Sequence, residues 1–145
     1  MESELLGAED YASVHQAMQQ LSRGSLNPLT LNARMEAWAQ LVTEVEEGFD
    51  TVRAFEFGHE LTHRDWLHEA WPILTERVRR LRQPELDALD GRFRAATAPI
   101  RPLSMSLSEM AGQTRWWRFR YPKLVTGDPT EPLPATWSPP PTHIW

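Results

Sequence analysis

Apolar positions recur along this chain at helical spacing. They are most regular in Leu31, Met35, Trp38, Val42, Val45 and Phe49, whose spacing predicts a helix from Leu31 to about Glu47 with Thr30 as its cap. Tyr11, Val14, Met18 and Leu21 predict a shorter amphipathic helix over Glu9 to Leu21, with His15 beside the stripe and Gly24 ending it. Asn27-Pro28 marks the turn between the two. The longest pattern runs from Thr51 to Leu81. Wound at about 100° per residue, it gathers Val52, Phe55, Trp66, Leu67, Ala70, Trp71, Leu74, Val78 and Leu81 into an arc of roughly 160°, the expected buried side. Glu56, His59 and His63 fall inside that arc, while Arg53, Asp65, Glu69, Glu76, Arg79 and Arg80 point away from it. Gly58 weakens the pattern, and Pro72 predicts a kink or break near Trp71. Asp50 suits the cap of a helix starting at Thr51; the alternative is an extended piece over Val52 to Phe57, with the helix starting near Gly58.

Beyond the break, Arg77, Arg79, Arg80 and Arg82 predict a basic exposed face, and Gln83-Pro84 restarts a helix with proline at its first position. Leu86, Leu89, Phe93 and Ala96 form the stripe of that helix, and Pro99 stops it. Pro99 and Pro102 bracket a turn, after which Ser106 and Glu109 fit a capping box for a short helix near Leu107 to Gln113. Arg115 to Tyr121 then alternates arginine with aromatic residues over its last residues, as a strand or extended edge would. From Gly127 the chain becomes proline-rich without helical period, a polyproline-type tail. The expected architecture is therefore all-α: a compact antiparallel bundle of four to five helices over residues 1–114, an aromatic-basic extended segment packed on it over 115–126, and a proline-rich extended tail over 127–145.

Length and composition narrow the reading only modestly. A chain of 145 residues is one domain's worth and can bury a core without staples. It has no cysteine, which excludes disulfides and thiolate metal sites. The start, MESELLGAED, lacks the charged-then-apolar pattern of a signal peptide, and no apolar run approaches a membrane span, so a cytoplasmic protein without a membrane partner is expected. Charge is uneven. Residues 1–60 carry a net −8, residues 61–125 a net +5, and the remainder −2. Such asymmetry suits an acidic helix packed beside a basic one as well as it suits a charged partner.

Three stretches could carry chemistry. His59-Glu60-Leu61-Thr62-His63 resembles the active-site helix motif of zinc metallopeptidases. That resemblance implies zinc held by His59 and His63 and Glu60 as general base on the metal-bound water. The string departs from the family in the charged Arg64 and Asp65 just after it. A third histidine at the family's spacing is also missing, since His68 comes too soon. Glu69, Glu76 and Glu85 are alternative third ligands, none singled out. A second metal arrangement takes Glu56, His59 and His63 at offsets of three and four residues, completed by His15 or Glu44, against the plainer reading of a hydrogen-bonded polar cluster at the core edge.

The third stretch interleaves Arg115, Arg118, Arg120 and Lys123 with Trp116, Trp117, Phe119 and Tyr121, ingredients of nucleic-acid binding. The chain's net acidity argues instead for aromatics packed on the bundle and arginines paired with the acidic half or stacked on rings. Trp137 and Trp145 are expected to dock the tail into a groove of this chain or of a partner. The reading favoured by these residues is a non-catalytic interaction protein or accessory subunit without a cofactor. It would engage a protein partner or a second copy of itself through Trp116, Trp117, Arg118, Arg120, Trp137 and Trp145. A zinc-dependent hydrolase built on His59, Glu60 and His63 is the alternative.

Overall fold

The helix at the centre of the fold is α2, Leu31–Glu47, and it begins where Thr30 accepts a hydrogen bond from the Ala33 amide at 3.1 Å. In the computed structural model, which describes residues 6–21, 29–100 and 114–144, its stripe Leu31, Met35, Trp38, Val42 and Val45 is buried, as the spacing predicts. Around it pack α4 (Thr62–Ala70) and α5 (Glu76–Ala96), with α1 (Ala8–Leu21) against α4. Trp38 is the hub of this contact. Its ring lies 4.8 Å from that of Phe93, and its indole Nε1 donates to Asp90 Oδ1 at 3.1 Å. Arg64 closes the other side of the same carboxylate with two hydrogen bonds of 2.9 Å, so one acid on α5 ties together α2 and α4.

The long central pattern is not one helix. A 3-10 helix, Thr51–Glu56, leads into the single turn α3, Phe57–Glu60; Leu61 interrupts, and α4 continues until a second 3-10 turn at Trp71–Ile73, where Pro72 predicts the break. Asp50 does cap the first element, accepting from the Val52 amide at 3.0 Å, and the α-helical part starts at Phe57. The winding change alters which residues are buried. At three residues per turn Thr51, Ala54 and Phe57 share one side and are buried, whereas Val52 and Phe55, expected inside, are 67% and 68% exposed.

α5 starts earlier than Pro84. Thr75 caps it by accepting from the Val78 amide at 3.3 Å, and Pro84 lies within the helix. Pro84 and Arg80, whose carbonyl the proline leaves without its helical donor, are both exposed, so water can take that bond. Asp10 and Ser13 of α1 hold the same end. The Thr75 hydroxyl donates to Asp10 at 2.6 Å and the Thr75 amide to Ser13 Oγ at 3.2 Å. Arg79 does not lie on an open basic face; it turns back to donate to the Leu74 carbonyl at 2.6 Å. Arg92 of α5 grips Glu46 of α2 at 2.6 and 3.0 Å, one case of the basic half packing beside the acidic half.

The chain beyond α5 corrects the all-α bundle. Its residues form strands, so the fold is mostly helical with two small sheets. β2 (Thr97–Pro99) pairs antiparallel with β3 (Arg120–Pro122), and β4 (Leu124–Thr126) lies between β1 (Phe49–Asp50) and β5 (Thr142–His143), parallel to both. Strands of two or three residues are too short to show a period of two. Their partners are also far off in sequence, Phe49 lying opposite Val125. Two glycines permit the close approach. At Gly48 (φ 112°) a Cβ would sit 2.6 Å from Thr126, and at Gly127 (φ 92°) one would sit 2.8 Å from Asp50. Of the stretch expected to be extended, residues 115–126, Trp116–Phe119 is a 3-10 turn, and Arg120–Pro122 and Leu124–Thr126 are strands. The features expected at Gly24, Asn27-Pro28, Leu107 to Gln113 and Trp145 lie outside the described residues.

Candidate functional site

His59 lies in the single turn α3 and His63 in the first turn of α4, so the interruption at Leu61 separates the two histidines of the metallopeptidase-like string. The Thr62 hydroxyl donates to the His59 carbonyl at 2.7 Å and bridges the gap. Both rings nevertheless line one cleft of about 540 Å³, together with Leu29, Arg34, Asp65, Trp66, Glu69 and Arg115. Arg34 reaches across from α2. Its Nη1 donates to His63 Nδ1 at 3.1 Å while its guanidinium lies 5.3 Å from the centre of the Trp66 ring. Burial holds the His63 imidazole below its usual pKa, and the Arg34 and His59 charges push the same way against Glu60.

Of the acids expected beside these histidines, Glu69 lines the cleft and the others lie outside it. Glu60 pairs with Arg53 at 3.3 Å, and Arg53 also holds Glu44 at 2.7 Å. Glu56 and His15 are exposed and away from the cleft. Glu69 lines it, 3.7 Å from Arg115, whereas Glu85 pairs with Arg82 and Glu76 lies by the cleft at the start of α1. His68 is turned edge-on to Trp117. Among the described residues no group of three His, Asp or Glu is placed to hold a metal ion. The donor set as placed does not suit zinc, because Arg34 donates to Nδ1 of His63 and so puts the neutral ring's proton on Nε2, leaving that ring no free lone pair for a metal, with a guanidinium beside it.

The aromatic-basic segment turns inward. Trp117 is fully buried; its Nε1 donates to Asp65 Oδ1 at 2.8 Å, and the Arg64 guanidinium lies 4.2 Å from its ring centre. Arg118 forks onto the same Asp65 and donates to the Gly58 carbonyl at 2.7 Å. Burial raises the Asp65 pKa, but the hydrogen bonds from Arg118 and Trp117, with Arg118 and Arg115 nearby, outweigh it and hold the carboxyl below the usual range. Arg120 spends its donors on Thr97 Oγ1 at 2.7 Å and on the carbonyls of Thr97 and Arg94. With Lys123 on the Ala95 carbonyl, it puts positive charge on the end of α5. Trp116 is half-buried under Arg94, whose guanidinium is 3.7 Å from its ring centre.

Trp137 docks the tail on this chain. It is 5% exposed, stacked against Tyr121 at 6.2 Å and edge-on to Phe57 at 5.6 Å, while the Tyr121 hydroxyl donates to the Pro139 carbonyl at 2.8 Å. Beside it lies a second cleft, of about 280 Å³, walled by Phe55, Phe57, Leu61, Ile100, Pro134 and Trp137, with Arg118 and Arg120 at its side. Reading the sequence at helical pitch missed this surface by assigning Phe55 to the core. The i, i+3 spacing of Thr51, Ala54 and Phe57 was the signal that could have found it. Compared with protein-family models, with curated proteins and with solved structures, the chain matches none.

Proposed function

We propose that this protein is a non-catalytic binding partner or accessory subunit whose contact surface is the cleft beside Phe55. The occupant we assign is a segment of another protein that presents an apolar side chain next to a carboxylate. The observation that carries the reading is Phe55, a large apolar side chain left 68% exposed at a cleft whose walls combine apolar side chains with Arg118, Arg120 and Thr136. Charge supports the choice of occupant. Arg120, on the wall, is bonded to a hydroxyl and to carbonyls and joins no ion pair among the described residues. A partner's carboxylate would give it a counter-charge. The tail has a different part from the one its composition suggests: anchored through Trp137, it builds a wall of the cleft.

Selection of random displayed peptides on the full chain tests this. Enrichment of apolar-acidic sequences that bind the native protein and lose binding to Phe55→Glu, with an unchanged melting temperature, is the expected result. Absence of enrichment, or binders indifferent to Phe55→Glu, overturns it. So does concentration-dependent self-association abolished by the same substitution, which would make the occupant a second copy.

A further inference from the structure

The Arg34 cleft has an electrostatic imbalance that the Phe55 surface does not explain. Arg34 is half-buried, and burial lowers its pKa, yet it joins no ion pair among the described residues. A guanidinium carries five N–H donors, and among the described residues this one makes a single hydrogen bond, to the neutral acceptor His63. Its Nε is shut from solvent and has no partner among the described residues, and the same holds for the indole Nε1 of Trp66, a residue only 4% exposed. Partly burying a charge without a counter-charge is unfavourable, as is leaving donors unmet. The acids of the cleft do not correct this. Asp65 is held by Trp117 and Arg118, and Glu69 faces Arg115. With Arg34 donating to His63 Nδ1, the neutral ring carries its proton on Nε2, which adds a donor rather than an acceptor.

We infer that the cleft between α2 and α4 is an oxyanion site, in which the guanidinium of Arg34 receives a carboxylate or phosphate group and His63 orients the guanidinium. With Nε shut in, the edge left for a ligand is that of Nη1 and Nη2, and the pairing of such a fork with a two-oxygen acceptor is favourable in geometry and charge. A volume of about 540 Å³ admits a small organic molecule rather than a bare ion alone, with Leu29 and Trp66 to contact its apolar part. The same residues that resemble a zinc motif thus make a site of opposite preference. Arg34 repels a dication and attracts an anion.

Two probes, benzoate and inorganic phosphate, each titrated into the full chain at constant ionic strength made up with chloride, test the site by NMR. Saturable shifts of the Trp66 indole and His63 ring signals with either probe are expected, and the tighter probe tells which oxyanion is preferred. Arg34→Gln should weaken that binding roughly tenfold or more, the loss of one charge-assisted fork. Arg34→Lys, which keeps the charge and loses the fork, should weaken it less. Shifts that never saturate, that chloride reproduces, or that persist in Arg34→Gln would sink the site. If either variant fails to fold, saturation in the native protein decides. Zinc titrated separately is expected to leave His59 and His63 unperturbed; a saturable response at both rings overturns the inference and restores the metal reading.

Discussion

Arg64 and Arg34 each lie against a tryptophan ring, yet they end in opposite states. Arg64 is 7% exposed, stacked over Trp117, and both ends of its fork meet Asp90, itself held by Trp38. Arg34 lies over Trp66 with, among the described residues, a single hydrogen bond, to a histidine. The difference is whether a carboxylate arrives from a third element: α5 brings Asp90 to the first arginine, and no described element brings an acid to the second. A filled fork makes a buried arginine part of the framework, and an open one makes it a place for a ligand.

The comparison can be broken by mutation. Arg64→Ala has the largest expected effect, a loss of about 3–5 kcal/mol, because it leaves the largely buried Asp90 carboxylate with Trp38 as its only hydrogen-bond donor among the described residues. Urea melts measure it, and a loss below about 1 kcal/mol would mean that the pair is not structural. Trp137→Ala comes close behind, at about 3–5 kcal/mol for an emptied aromatic site. If that variant melts like the native protein, the tail is not anchored as described.

Arg34→Gln should cost less than about 1 kcal/mol in the same melts, since it removes one hydrogen bond and relieves an uncompensated charge. A cost equal to that of Arg64→Ala would erase the contrast. The smallest expected effect is a pH dependence at His63, which faces Arg34 from α2 and His59 and Glu60 from α3. Its folded pKa is lowered from 6.5, so the neutral ring is favoured in the folded state. Its contribution is present above that value and is lost as pH falls through the folded pKa. Native protein should therefore lose melting temperature faster than His63→Gln below pH 6.5; parallel curves would show that His63 is not shielded.

The stripe of α2 was legible in full, from Thr30 at its cap to Val45, because cap chemistry and a period of 3.6 residues are local properties. The break at Pro72 was legible for the same reason. Trp137 also stood out as an anchor, since a large apolar ring in a proline-rich stretch has few ways to be buried except by docking. Phe55 was misplaced, because a 3-10 winding of six residues changes the buried face and leaves only a faint period of three.

Among the chemistry-bearing residues, the five-residue string around His59 and His63 stood out by itself, and its sequence could only suggest the company those rings keep. Arg34 lies 29 residues before His63, and nothing in the spacing announces that they touch. The small sheets were hidden likewise, with Thr126 opposite Asp50. What the chain determined alone was the cap at Thr30, the break at Pro72 and the apolar face of α2, each decided by neighbours within a turn or two. What only the tertiary structure decided was which charged groups meet. A Coulomb pair or a hydrogen bond depends on distance in space, and the packing of α2, α4 and α5 sets that distance.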